Sequence, residues 1–325
     1  MYSQDQLIKL TNSDGVNRGF QYKEGLNEDT LDFNRNEECA AGGLYFCSFK
    51  YVIHWLNDYG GDALIWKVVI PEGEEVIEYK TKQKAKRIIL SEPKIAYENY
   101  QICKLAIQQN ACSLQFVKRQ TEELCKLAIQ ANGIALQYVK EQTEELCKLA
   151  VQQNSYWAIQ FVKEQTEEIC KLAVQQNGYA LRFVHDQTEE ICKLAVQKYP
   201  PALQYVKEQT HEVCELAVQQ NGCALQFVKE PTHEICELAV QQNGRALQYV
   251  KEQTYELCKI AMLQDGMAIY FVHHQTDELC RIAVQQNGYA LRFVHDQTEE
   301  LCKLAVQKYP PALQFVNPEF RHLFE

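Results

Sequence analysis

Residues 170–190 read CKLAVQQNGYALRFVHDQTEE, and residues 280–300 read CRIAVQQNGYALRFVHDQTEE. Near-identity at such a distance is the mark of a repeat architecture, and it limits the fold more than any other feature of the chain. Aligning one cysteine per unit gives ten copies. They start at Asn99, Thr121, Thr143, Thr166, Thr188, Thr210, Thr232, Thr254, Thr276 and Thr298, spaced 22 residues apart except for 23 in the third copy. The matching pair lies five units apart, as a block duplication would leave it.

One unit, TEELCKLAIQANGIALQYVKEQ at 121–142, shows what a copy folds into. Thr121 is a good helix N-cap, and Glu122 and Glu123 suit the positive end of the helix dipole. Leu124, Cys125, Leu127, Ala128 and Ile129 make an apolar face at helical spacing. Asn132-Gly133 reads as a helix stop in which glycine takes the left-handed conformation. Ala135, Leu136, Tyr138 and Val139 make a second, shorter apolar face, so each unit predicts two short helices. In copies five and ten the stop becomes KYPP, with Pro200-Pro201 and Pro310-Pro311 starting the next helix. Glu122 and Lys126 stand four apart in the order that favours a helical ion pair, and later copies repeat the spacing. At His211/Glu215 and His233/Glu237 the second partner turns acidic and the first becomes histidine, a coupled swap expected of helices.

Neither helix can bury its apolar face alone, and stacking neighbours solves this. The chain is therefore expected to be mainly α, an α-solenoid of ten two-helix repeats over 94–325, after a small α+β domain over 1–93. The pattern LxxLAVxxNGxALxxV over residues 99–317 resembles tandem repeats common in giant-virus proteins and classed as a domain of unknown function. That resemblance implies an all-helical array and no assigned activity. Of 14 cysteines, ten (Cys103, Cys125, Cys147, Cys170, Cys192, Cys214, Cys236, Cys258, Cys280, Cys302) recur in one apolar slot. Free cysteine packs as a small hydrophobe, so this column reads as core. Metal-ligand spacing is missing, and Cys39 and Cys47 are a lone pair.

The first ninety residues follow another grammar. GGLYFC (42–47) and ALIWKVVIPEG (63–73) read as strands, EEVIEYK and KAKRIIL as further strands, and 48–61 as a helix capped by Ser48 and stopped at Gly60. Ser91-Glu92-Pro93 reads as the link to the repeats. The stretches YKEGLNEDTLDFN (22–34), GGLYFC and KAKRIIL resemble a leader domain of mimivirus-like giant-virus proteins that often precedes ankyrin arrays. Strand–helix–strand with GLYF and IWKVVIP also resembles ADP-ribosyltransferase-type domains, in which Arg18 would stand for the early basic residue and Glu75 or Glu78 for the catalytic glutamate. The plainer reading makes Tyr45, Phe46, Trp55 and Trp66 a small core.

For function, no catalytic, cofactor or metal constellation stands out. The expectation is a non-enzymatic interaction scaffold with a protein partner, inside a virus-infected cell and in the host cytoplasm. The net charge of −10 argues against nucleic acid, and no apolar run reaches a membrane span. Modular RNA reading by Ile134, Tyr179, Cys223, Arg245, Met267 and Tyr289 is the alternative that the repeats suggest. A glutamine column (Gln108, Gln130, Gln152, Gln175, Gln197, Gln219, Gln241, Gln285, Gln307) is either a ladder to neighbouring backbone, a solvent-facing row or a polar binding stripe. Departures from the pattern mark candidate partner contacts. In copy eight these are Leu263, Met267 in the variable loop, Tyr270 and His274, which follows His273; in copy three, Tyr156 and Trp157 on a bulged loop. His185-Asp186 and His295-Asp296 read as solvated helix ends.

Overall fold

The threonine caps form as their position requires. In the computed structural model, which describes residues 2–35, 40–56 and 58–324, the Thr121 side chain accepts from Leu124 N–H and starts a helix over Glu122–Ala131. Thr143, Thr166, Thr188, Thr210, Thr232, Thr254, Thr276 and Thr298 repeat this, and Asn99 caps Tyr100–Gln109. Each helix runs ten residues and, save the last, which buries three, buries four positions, Leu124, Cys125, Ala128 and Ile129 in copy two. Full burial of a residue such as Leu or Ile contributes about 2 kcal/mol relative to exposure, so these four positions drive the stacking.

The second helix of each unit is a 3-10 turn, Gly133–Tyr138 in copy two. Asn132 Oδ1 accepts from Ile134 N–H and caps it. In copies five and ten tyrosine replaces that asparagine, and Pro200 and Pro310 at the first helical position take over the start. Copy three uses its extra residue to make a turn of α-helix, Ser155–Ala158, where a bulged loop was expected.

The glycine of the stop works differently from the sequence expectation. Asn132, not Gly133, leaves the helix, with an extended φ of −159°, and Gly133 is not among the positive-φ glycines. Glycine is needed for close approach instead. A Cβ on Gly133 would stand 2.5 Å from Ala150 O in the next copy, and one on Gly222 would stand 2.3 Å from Ala239 O. Ala111, Ser155, Pro200 and Pro310 carry a side chain at this place, so not every junction demands the contact.

Copies are also tied by a glutamine column other than the predicted one. Gln120, in the irregular stretch before Thr121, donates from Nε2 to Leu114 O (3.2 Å) and to Tyr138 O of the next copy (2.8 Å). Its Oε1 accepts from Lys140 N–H at 2.9 Å and faces Cys125 Sγ at 3.9 Å. Gln142, Gln165, Gln187, Gln209, Gln253, Gln275 and Gln297 repeat the cross-copy bonds. Pro231 interrupts the column. The predicted glutamines, Gln108 through Gln307, are exposed on the helices. Gln219 and Gln241 bond there to Glu215 and Glu237. The charge swap accordingly resolves differently from a local ion pair: His211 faces Glu234 of the next copy at 3.6 Å. The unswapped Glu–Lys copies form the expected pairs, such as Lys126–Glu122 at 2.6 Å, whereas Arg281 reaches Glu300 of the next copy at 2.8 Å.

The described chain divides into two compact units, 1–163 with copies one to three and 164–325 with the rest. Within the first unit, strands β1 (Leu7–Thr11), β2 (Val16–Asn17), β3 (Phe20–Gln21), β4 (Gly25–Glu28), β5 (Leu44–Ser48), β6 (Leu64–Val69), β7 (Val76–Glu78), β8 (Gln83–Ala85) and β9 (Arg87–Ile95) precede the repeats. Seven form one antiparallel sheet in the order β4-β9-β6-β1-β5-β8-β7, and β2 and β3 form a hairpin. The single strand expected at KAKRIIL is split between β8 and β9, which pair with different neighbours. Ser91-Glu92-Pro93 lies inside β9 rather than in a linker. The expected helix at 48–61 is a 3-10 turn (Phe49–Tyr51) and five α residues (Val52–Leu56), without a Ser48 side-chain cap; Asn57 lies outside the described residues. Tyr97, just after β9, packs on Phe116, and Asp62, just before β6, pairs with Lys118 at 2.8 Å, so the chain flanking the sheet meets copy one directly.

Candidate functional site

The sheet opens on one side into a cleft of about 570 Å³. Its walls come from β1, the β2–β3 hairpin, residues 29–31 and 40–47, and Trp55, Asp58, Tyr59 and Lys82. Of the residues expected to build a small core, Phe46 and Trp66 are buried there, whereas Tyr45 and Trp55 are half-buried and line the cleft.

The floor holds a charge where a strand core would hold a hydrophobe. Lys9 sits between Ile8 and Leu10 on β1 and is only 3% exposed. Its Nζ donates to Tyr45 O at 2.8 Å and lies 4.5 Å from the centre of the Tyr22 ring. No carboxylate pairs with it among the described residues. Burial pulls its pKa down to about 7, with lesser influences from the Cys47 thiol, which raises it, and the Arg18 guanidinium, which lowers it further. Burial likewise pushes Cys47 up to about 12 and raises Tyr22, and it takes Tyr59 to about 12.

Further cations stand around the same aromatic wall. Lys82 Nζ lies 4.8 Å from the Tyr45 ring and 5.5 Å from Trp55, Lys84 Nζ 5.2 Å from Tyr45, and Arg18 Cζ 5.9 Å from Tyr45. Arg18 stands on a left-handed backbone, φ 50°, between β2 and β3. Asp29 turns inward to hold the loop: Oδ2 accepts from Gly43 N–H at 2.6 Å and Oδ1 from Leu31 N–H. Gly43, at φ 131°, leaves room for the Lys84 chain, whose Cγ and Cε would stand 2.8 Å from an added Cβ.

The transferase-type candidates are not brought together here. Arg18 lines the cleft, but Glu75 is held outside it by Arg35 and Glu78 bonds Gln83 Nε2 at 3.1 Å. Cys47 is buried; Cys39, its expected neighbour, lies outside the described residues.

On the array, Leu263 is 58% and Tyr270 62% exposed. Leu263 lies in the last turn of the helix Tyr255–Gln264, while Tyr270 lies on the following 3-10 turn Gly266–Phe271, with its ring 4.8 Å from Phe293. Met267 is on that 3-10 turn, half-buried, rather than in a loop, and His273 and His274 are exposed. Tyr156 and Trp157 meet edge to face at 4.7 Å, and Trp157 is 47% exposed. His185, Asp186, His295 and Asp296 face solvent.

Most positions proposed as an RNA code are engaged between copies. Tyr179 meets Tyr199 hydroxyl to hydroxyl at 2.7 Å, and Tyr289 meets Tyr309 at 2.9 Å, one contact reproduced in both halves of the duplication. Arg245 pairs with Asp265, and Cys223 lies 3.4 Å from Asn243 Nδ2.

Residues 143–188 and 188–231 match a family described as a domain of unknown function, DUF4116. An uncharacterized protein of Acanthamoeba polyphaga mimivirus, R869, is 45% identical over 52 residues. The chain is similar to giant-virus repeat proteins. That match covers 15% of this chain and 38% of the viral protein's length. No solved structure matches. No helix among the described residues is long and apolar enough to cross a membrane.

Of the cleft cations the sequence singled out Arg18 alone, although the three lysines leave a trace. Lys9 interrupts the apolar run of LIKLT, and Lys82 and Lys84 alternate through KQK. Both patterns match an ordinary half-exposed strand, and only the fold shows that those faces turn inward.

Proposed function

We propose that the chain is a non-enzymatic scaffold whose repeat array presents a surface to a protein partner. The observation that carries this reading is the exposure of Leu263 and Tyr270 at places where most other copies carry glutamine. The stacking needs neither residue, because copy eight already buries Leu257, Cys258, Ala261 and Met262 on its helix. In other copies the residue at the Tyr270 place bonds its own turn, as Gln248 does to Arg245 O at 3.0 Å. Tyr270 gives up that bond for an exposed ring, and exposed aromatics are favoured anchors of protein interfaces.

Affinity capture from host-cell lysate with the full chain tests the reading. A protein retained by the wild type and lost with Leu263→Glu plus Tyr270→Ala supports it. A retained set that does not respond to the double substitution, or the retention of nothing, contradicts it.

A further inference from the structure

The cleft beneath the N-terminal sheet has no part in a scaffold, yet it carries the most unusual electrostatics in the molecule. Lys9 is a buried cation that packing does not ask for. Its β1 neighbours Ile8 and Leu10 are fully or almost fully buried hydrophobes, and an apolar side chain would fill its place. A buried charge without a carboxylate partner is costly, and such groups gather where they act on a ligand. Arg18 on the hairpin adds a second positive charge close enough to lower the Lys9 pKa further, in a protein whose net charge is −10. The space they face has flat apolar walls from Phe20, Tyr22, Tyr45 and Trp55, and about 570 Å³ lies in the range of small-molecule sites.

We propose that this cleft binds a small anion carrying a planar ring, of the nucleoside monophosphate class, with the phosphate at Lys9 and Arg18 and the base against Tyr45 and Trp55. A bare anion would leave the aromatic walls unused, and an uncharged ring would leave Lys9 without a counter-charge. The inference is independent of the partner surface on the array.

Calorimetric titration of the full chain with each of the four ribonucleoside monophosphates, the matching nucleosides and inorganic phosphate tests it. At least one monophosphate should bind at least about tenfold tighter than both its nucleoside and phosphate. Lys9→Met, which keeps the side-chain volume, should weaken that binding by about tenfold or more while leaving the melting temperature equal or higher. Arg18→Asn tolerates the left-handed backbone and should weaken binding as well, so the result does not hang on one variant.

The pH profile separates a charge contact from a structural role. Lys9 is faced by Cys47 from β5, Arg18 and Tyr22 from the hairpin region and Trp66 from β6. Cys47, Tyr22 and Tyr59 keep their charge between pH 7 and 9 (Cys47 and Tyr59 sit near 12 and Tyr22 is raised), whereas Lys9 loses its proton from about 7 upward. Affinity should therefore fall over that interval in the wild type and stay level in Lys9→Met. Failure of all four monophosphates to outbind their fragments overturns the proposal. So does wild-type affinity in both variants, or a wild-type profile that is flat from pH 7 to 9.

Discussion

At the scale of single residues, the array is governed by one amide per junction. Gln209 bonds Leu203 O at 3.0 Å, Phe227 O at 2.8 Å and Lys229 N–H at 2.9 Å. Truncation strands two part-buried carbonyls, each costing roughly 1–3 kcal/mol where water cannot reach it, and leaves the more exposed Lys229 N–H to solvent. Gln209→Ala should lower the melting temperature clearly in a thermal scan. Pro231→Gln should raise stability by about 1 kcal/mol, because the bonds it supplies at the interrupted junction outweigh the small cost of a more flexible unfolded chain. Val228 already marks that junction, being half-buried where its counterparts are buried. The sequence could not single out this glutamine column. Two columns repeat with equal regularity, and Gln120 sits between helices, where helical periodicity assigns no face. The threonine caps and the cysteine column were readable because their roles depend on neighbours a few residues away.

At the scale of elements, the short second helix and the glycine stop were visible as punctuation but not as geometry. An Asn-Gly pair reads the same whether glycine turns left-handed or simply makes room, and only the next copy decides between them. The two accounts predict different costs. Gly222→Ala should destabilise the chain by a few kcal/mol, measured by denaturant unfolding, because its Cβ would enter the shell of Ala239 O. The same change at Gly60, which has φ 71° and open space around it, should cost only about 1 kcal/mol of backbone strain. In the N-terminal sheet, β5 and β6 were readable as apolar runs. The two-residue strands β2 and β3 and the polar β4 (GLNE) carry almost no pattern, and their pairing with distant partners is what forms them.

At the scale of the whole molecule, local signals gave the repeat array, while the cleft depends on segments far apart in sequence. Lys9, Arg18, Tyr45 and Trp55 meet because the sheet sets β1 beside β5, out of sequence order. The tiers are near-identical and are joined at every seam but that of Pro231 by a half-buried glutamine, with the solvent faces left free to vary. Residue-resolved hydrogen exchange on the unmodified chain tests this most directly. The amides of Lys140, Lys207, Lys229 and His273 each donate to a seam glutamine, whereas Lys251, opposite Pro231, has none to donate to. The account predicts that Lys251 exchanges fastest in this series, with the others protected by at least about tenfold. Equal exchange across the series, or Lys251 protected best, would contradict it.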